Sequence, residues 1–298
     1  RNSFGDISSI EEFQFHLEPL VQEMIKNSTK GFSVSGLKYL SNKPTLFISN
    51  HRDIALDSLF LNLTLFERGI KTSNIAVGDN LLDGDYIEQL LKLNKSFVVH
   101  RNTSGFKQTL KVISRLSAYI NKILTEENGS VWIAQKEGRA IDGWDRTDAS
   151  VLKMLYFSSK KKISLKEWVQ KINLIPLSIS YEYDPLDIIK SKGLSTGKKV
   201  TEQDAVSHQD QLFLGILGDK GRVHLSISKN IEIQINTIEE LVKNIDYQII
   251  NNYKLWPSNF CAAKNLQMQS FTEMNLENEY TPKFEKLFLN RFKDLKVK

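Results

Sequence analysis

The chain carries a single cysteine, Cys261, in 298 residues. No intramolecular disulfide can form, and nothing points to an oxidising compartment. Cys261 lies in Asn259-Phe260-Cys261-Ala262-Ala263 with no histidine or aspartate nearby in sequence, which makes it a poor candidate nucleophile. Long hydrophobic runs are missing too. No window reaches the roughly 18 apolar residues that a membrane-spanning helix needs. The longest candidate, Leu56 to Phe66, is about one helix long and polar at both ends. No secretory leader is recognisable. The sequence opens at Arg1 without a methionine, which leaves room for a preceding segment or membrane anchor. The five histidines (His16, His51, His100, His208, His224) show no short metal-binding spacing. Gly-x-Ser-x-Gly, a phosphate loop ending in Gly-Lys-Ser/Thr, a dinucleotide fingerprint and a His-x-x-x-His pair are all absent. Neither a metal nor a redox cofactor is expected.

What is present is an ordinary globular composition with a formal charge of +5 and a pI near 9.0. A mildly basic chain attracts anions such as phosphorylated metabolites, acidic carrier proteins or anionic headgroups. Nucleic acid is not an expected partner, because no nucleic-acid-binding motif or aromatic-interleaved basic stretch occurs. The runs Lys160-Lys161-Lys162 and Lys198-Lys199 read as solvated loop faces.

Ile10, Phe13, Leu17, Val21 and Met24 recur at helical spacing, and Pro19 is expected to kink or split that helix. Core packing is the plainer reading of this segment, and contact with a membrane interface is the other. From residue 33 onward, short β-type runs alternate with helical patterns. The strands are expected at Phe32 to Val34, Thr45 to Ser49, Ser73 to Val77, Ser96 to Val99, Val131 to Ala134, Leu174 to Ser180 and Arg222 to Ser228. The helices are expected at Leu56 to Phe66, Tyr86 to Leu93, Phe106 to Leu124, Ala149 to Ser158, Glu202 to Leu217 and Ile238 to Asn251, with an amphipathic helix at Pro282 to Leu295. This alternation predicts an α/β fold with a mostly parallel central sheet covered by helices on both faces. An N-terminal helical segment (1–30), an α/β domain (31–235) and a C-terminal helical extension packed on the same domain (236–298) follow from it. The Gly/Ser/Lys-rich stretch Lys190 to Lys199 reads as a loop.

Ligands of such sheets gather beyond the carboxyl ends of strands, and four strand segments carry unusual residues. The first runs Leu46-Phe47-Ile48-Ser49-Asn50-His51-Arg52-Asp53-Ile54-Ala55-Leu56-Asp57. Its histidine can act as a general base when a carboxylate fixes its tautomer. Asp53 also suits a helix cap, and a capped helix beside an incidental turn histidine is the bland alternative. The second, Phe97 to Gly105, ends a strand at His100-Arg101-Asn102-Thr103-Ser104, where Arg101 offers a planar fork for phosphate. The third, Val131 to Ala140, gathers Lys136, Glu137, Gly138 and Arg139 after an apolar strand. Gly138 there permits close backbone approach. The fourth, Leu174 to Pro185, is a strand with Pro176 near its start, a pocket wall without a reacting group.

In this order the four segments resemble the blocks of the glycerolipid acyltransferases, the glycerol-3-phosphate and lysophosphatidate acyltransferase superfamily. That family shows Asn-His-x4-Asp, then a strand ending in arginine, then Glu-Gly-x-Arg, then a Val/Ile-Pro strand. The matching residues are Asn50-His51-Arg52, Phe97 to Arg101, Glu137-Gly138-Arg139 and Ile175-Pro176, and the resemblance spans roughly residues 33 to 230. Two spacings differ. Five residues separate His51 from Asp57, and Gly138 and Arg139 are adjacent. These are local turn adjustments or the mark of a divergent bacterial branch.

The resemblance implies transfer of a fatty acyl group from acyl-CoA or acyl carrier protein, as co-substrate, to a hydroxyl of a glycerol-phosphate or lysophospholipid acceptor. His51 would be the base and Asp57 its orienting carboxylate, with Asp53 as the alternate. Arg101, Lys136, Glu137, Gly138 and Arg139 would form the phosphate-binding group. Backbone N–H groups at the start of the helix after His51 are candidate oxyanion donors. The implied setting is phospholipid biosynthesis at the cytoplasmic face of a membrane, as a peripheral protein, or in the cytoplasm. The alternative is a non-catalytic or hydrolytic, thioesterase-like relative on the same scaffold.

Overall fold

Alternate residues of single strands face two separate apolar cores, and this organises the molecule. The computed structural model describes residues 9–79, 94–100, 105–141, 145–196, 207–231 and 235–265. Among the described residues seven strands, β1 (Gly31–Ser35), β2 (Leu46–Ser49), β3 (Asn74–Gly78), β4 (Ser96–Val99), β5 (Val131–Ala134), β6 (Leu174–Tyr181) and β7 (Arg222–Ile227), form one sheet. Its order is β1-β7-β6-β2-β5-β3-β4. All neighbours pair in parallel except β6 and β7. The five strands from β6 to β4 therefore end at the same edge, with β5, β2 and β6 side by side.

Leu46 and Ile48 of β2 join Val131 and Ile133 of β5 in one core. That core lies beneath α3 (Phe106–Thr125), α4 (Ala149–Tyr156), α5 (Leu165–Lys171) and α8 (Ile238–Asn251). Phe47, Trp132, Ile175, Leu177, Ile179 and Tyr181 point the other way. They meet α1 (Ile10–Ser28) and α2 (Leu56–Glu67). All four residues of β2 and all eight of β6 are buried, as strands covered on both faces must be. The chain also contains α6 (Asp187–Thr196), α7 (His208–Leu217) and α9 (Pro257–Asn265), the last holding the buried Cys261.

The strand expectations hold to within a residue or two at each end. Several helical ones need correction. Pro19 does not split the first helix, which runs unbroken from Ile10 to Ser28. Val21 and Ile25 anchor it in the second core, which outweighs the roughly 3 kcal/mol that an interior proline costs. The stretch from Lys190, read as a loop, is helical in α6 through Thr196. Its start is set by Asp187, whose carboxylate accepts from the Ile188 N–H. Helix α5 is announced by a capping box, Ser164 with Glu167, that the periodicity alone did not reveal. Helix α9 was likewise not anticipated. The expected helices at Tyr86 to Leu93 and Pro282 to Leu295 lie outside the described residues.

Pro176 sits third in an interior strand, opposite Ile48 of β2. Its carbonyl accepts from Ser228 N–H on the β7 side. Its nitrogen faces the same way, so the missing donor costs only half of the last rung between β6 and β7.

Candidate active site

Three adjacent strand ends converge on His51. The strand β2 is released from the sheet at Asn50 by a side chain that imitates backbone. Asn50 Nδ2 donates to the Ile179 carbonyl at 2.9 Å, and Oδ1 accepts from Ile179 N–H at 2.8 Å. The next residue is held from both sides by the chain that follows β5. The His51 N–H donates to Asp145 Oδ2 at 2.8 Å, and the His51 carbonyl accepts from Ala140 N–H at 2.8 Å.

The imidazole ring is fixed as firmly as the backbone. His51 Nδ1 lies 2.9 Å from Asp57 Oδ2, and the ring packs edge-on against Trp132 with centroids 5.8 Å apart. Asp57 stands in the first turn of α2, where the helix dipole favours a negative charge. Its carboxylate takes three further donors. Oδ2 accepts Arg52 N–H at 2.7 Å and Asp53 N–H at 3.0 Å, and Oδ1 accepts the Tyr181 hydroxyl at 2.8 Å. Burial, then the charge of Asp57, pushes the Tyr181 phenol well above its ordinary range, so it remains a donor. Only 1% of the Asp57 side chain is exposed, against 16% for His51. A carboxylate held this way imposes the tautomer with hydrogen on Nδ1, and leaves Nε2 with its lone pair. Among the described residues no hydrogen bond occupies Nε2.

Asp53 has a different task. Its Oδ1 accepts the N–H groups of Ala55 and Leu56 at the start of α2. Its Oδ2 lies so close to Gly215 of α7 that a Cβ there would collide with it. Burial, then the neighbouring Asp57, raises its pKa above the ordinary carboxylate range. The backbone N–H groups of Arg52, Asp53, Ala55 and Leu56 are thus committed to the two aspartates. This corrects the expectation that these groups serve an oxyanion.

The third strand end brings cations. Gly138 adopts φ +77°, a conformation that favours glycine. Arg139 donates through Nη2 to Gln211 of α7 at 2.6 Å, while its buried Nη1 has no hydrogen-bond partner among the described residues. Burial lowers the Arg139 pKa, with Asp53 opposing. Lys136 turns to Asp145 at 3.1 Å, the carboxylate that grips the His51 backbone. Glu137 is exposed. Arg101 lies outside the described residues.

Sequence reading missed Tyr181, Asp145 and a group beyond β6. A tyrosine ending an apolar strand needs a partner for its hydroxyl, which was a usable signal. Asp145 offered none, because it approaches His51 only through the fold.

Comparison with known proteins gives one family match and a distant structural one. Residues 31–164 match the family model described as Acyltransferase. A solved structure, the 1-acyl-sn-glycerophosphate (LPA) acyltransferase PlsC from Thermotoga maritima, aligns over 87% of this chain and 82% of that one. The identity is 13% and the TM-score 0.45. No curated protein matches the sequence. The family match spans the His51 and Arg139 strand ends.

Proposed function

We propose that the protein moves a fatty acyl group from an acyl thioester, acyl-CoA or acyl carrier protein, to a hydroxyl of a glycerol-phosphate or lysophospholipid acceptor, with His51 as general base. The observation that carries this reading is the His51–Asp57 pair, 2.9 Å apart, with no hydrogen bond to Nε2 among the described residues. In the proposed step the acceptor hydroxyl gives its proton to Nε2 while its oxygen attacks the thioester carbonyl. Asp57 stabilises the imidazolium that results. Collapse of the tetrahedral adduct breaks the carbon–sulfur bond, and the proton passes from Nε2 to the departing thiolate. Base assistance of this kind is worth roughly 10²–10⁴-fold. Tyr181 acts through Asp57 as a positioning residue, and Asp145 and Ala140 act through the His51 backbone. Arg139 supports acceptor phosphate binding, and Arg101 is assigned the same task from the resemblance alone. Lys136 acts on phosphate only after leaving Asp145.

The proposed place of work is a membrane surface. Among the described residues no helix is long and apolar enough to cross a membrane. Exposed Phe213, Leu214 and Leu217 on α7, beside Arg139, support surface contact.

The test is thioester consumption by wild type and His51→Ala with glycerol-3-phosphate, its monoacyl form and other lysolipids. Acceptor-dependent turnover lost in His51→Ala, with circular dichroism unchanged, is the expected result. Retained turnover removes His51 from the base role. Free fatty acid released without acceptor marks a hydrolase instead.

A further inference from the structure

The segment after β6, which carries none of the family's reacting residues, delivers a second cationic group to His51. Asp184 Oδ2 holds two cations at once, Arg52 Nη2 at 3.3 Å and Lys190 Nζ at 2.6 Å. Lys190 Nζ also reaches the Arg52 carbonyl at 3.3 Å. These side chains are largely withdrawn from solvent, with 17% of Arg52, 13% of Asp184 and 11% of Lys190 exposed. The other Asp184 oxygen is engaged by Leu186 N–H, so the carboxylate cannot turn to serve either cation better. Arg52 Nε is buried and has no hydrogen-bond partner among the described residues. The same is true of Arg139 Nη1, and the Arg139 charge is felt at Lys190. Burial pulls the Lys190 pKa down, with Asp184 opposing.

Arg52 and Lys190 thus share one carboxylate, Arg139 stands in the fields of Asp53 and Asp184, and two buried guanidinium nitrogens have no hydrogen-bond partner among the described residues. Leaving such donors unmet costs free energy. A ligand with several anionic oxygens would meet them, and a guanidinium offers the planar fork that suits phosphate. We infer that Arg52, Arg139 and Lys190, set by Asp184, form the cradle for a phosphate monoester of the substrate, one cation arriving from each of the adjacent ends of β2, β5 and β6. The inference rests on the acyl-transfer reading above and adds Arg52 and Lys190 to it. The phosphate belongs either to the glycerol-phosphate acceptor or to the coenzyme A donor.

Titration calorimetry with sn-glycerol-3-phosphate and, separately, coenzyme A separates the two sources. Lys190→Met and Arg52→Met should each weaken one of these ligands about tenfold, roughly 1.4 kcal/mol, and leave the other unchanged. Lys190→Arg should restore part of the loss, and glycerol should not bind. Loss for glycerol-3-phosphate assigns the cradle to the acceptor, and loss for coenzyme A assigns it to the donor. Affinities within twofold of wild type in both folded methionine variants, or no binding of either ligand by wild type, overturn the cradle. His51→Ala should bind as wild type does. If His51→Ala keeps its turnover while the cradle variants lose affinity, the base reading fails and the cradle stands.

Discussion

The two halves of the site differ in how completely their hydrogen bonds are met. On one side Asp57 receives four donors, from His51, Arg52, Asp53 and Tyr181, and is almost wholly buried. On the other side Arg52 Nε and Arg139 Nη1 are buried without hydrogen-bond partners among the described residues. A saturated polar network is rigid and fixes one geometry, whereas buried unmet donors store a penalty that a ligand can relieve. The first half suits a group that must be held still during a proton transfer. The second suits a group that binds.

The sharpest way to break this contrast is to exchange the two aspartates in separate variants. Asp57→Asn should cost roughly 10²–10⁴-fold in kcat, because the imidazole loses its orienting charge. Asp53→Asn should cost less than about tenfold, since asparagine serves a helix start nearly as well. Thioester consumption under saturating acceptor measures both, and equal losses would erase the distinction between the two carboxylates.

Tyr181→Phe removes one donor from the saturated half and leaves its shape intact. A hydrogen bond to a charged group is worth about 1.5–3 kcal/mol. The expected result is a kcat reduced about tenfold with the acceptor KM unchanged. A raised KM at constant kcat would place Tyr181 with the binding half instead.

The smallest effect concerns Lys220, fully buried behind the site, whose Nζ donates to the Ile216 and Gly218 carbonyls. Burial lowers its pKa from 10.5 to about 8, with Asp53 opposing. Between those values the unfolded chain holds a proton that the folded chain has released. Stability from this group therefore rises with pH across that window, and its cost is fully present below about pH 8. Thermal melts of wild type and Lys220→Met across this range should show a gain with pH for wild type relative to the variant. A constant difference would contradict the assignment.

Much of the scaffold was legible because it rests on local pattern. β2 and β6 are continuous apolar runs, α2 and α8 show helical periodicity, and each site strand ends in an abrupt change to polar residues. The failures are equally physical. A Gly/Ser/Lys-rich stretch became part of α6 because propensity is a weak guide where tertiary contacts decide. The contact geometry that separates Asp57 from Asp53 was not readable, because both lie within reach of the same turn. The chain between His51 and α2 takes up the five-residue spacing, with Arg52 and Asp53 N–H groups turned onto Asp57. Lys136 was read as a phosphate ligand from its block, yet its partner Asp145 comes from beyond that block. The cation group of Arg52, Asp184 and Lys190 spans two strand ends, and only the sheet order brings it together.

The central claim is that His51 and Asp57 work as one unit, and a double-mutant cycle on kcat tests it most directly. If they do, His51→Ala combined with Asp57→Asn is no slower than His51→Ala alone, as expected for residues that act together. Losses that multiply across the two substitutions would show independent roles and contradict the account.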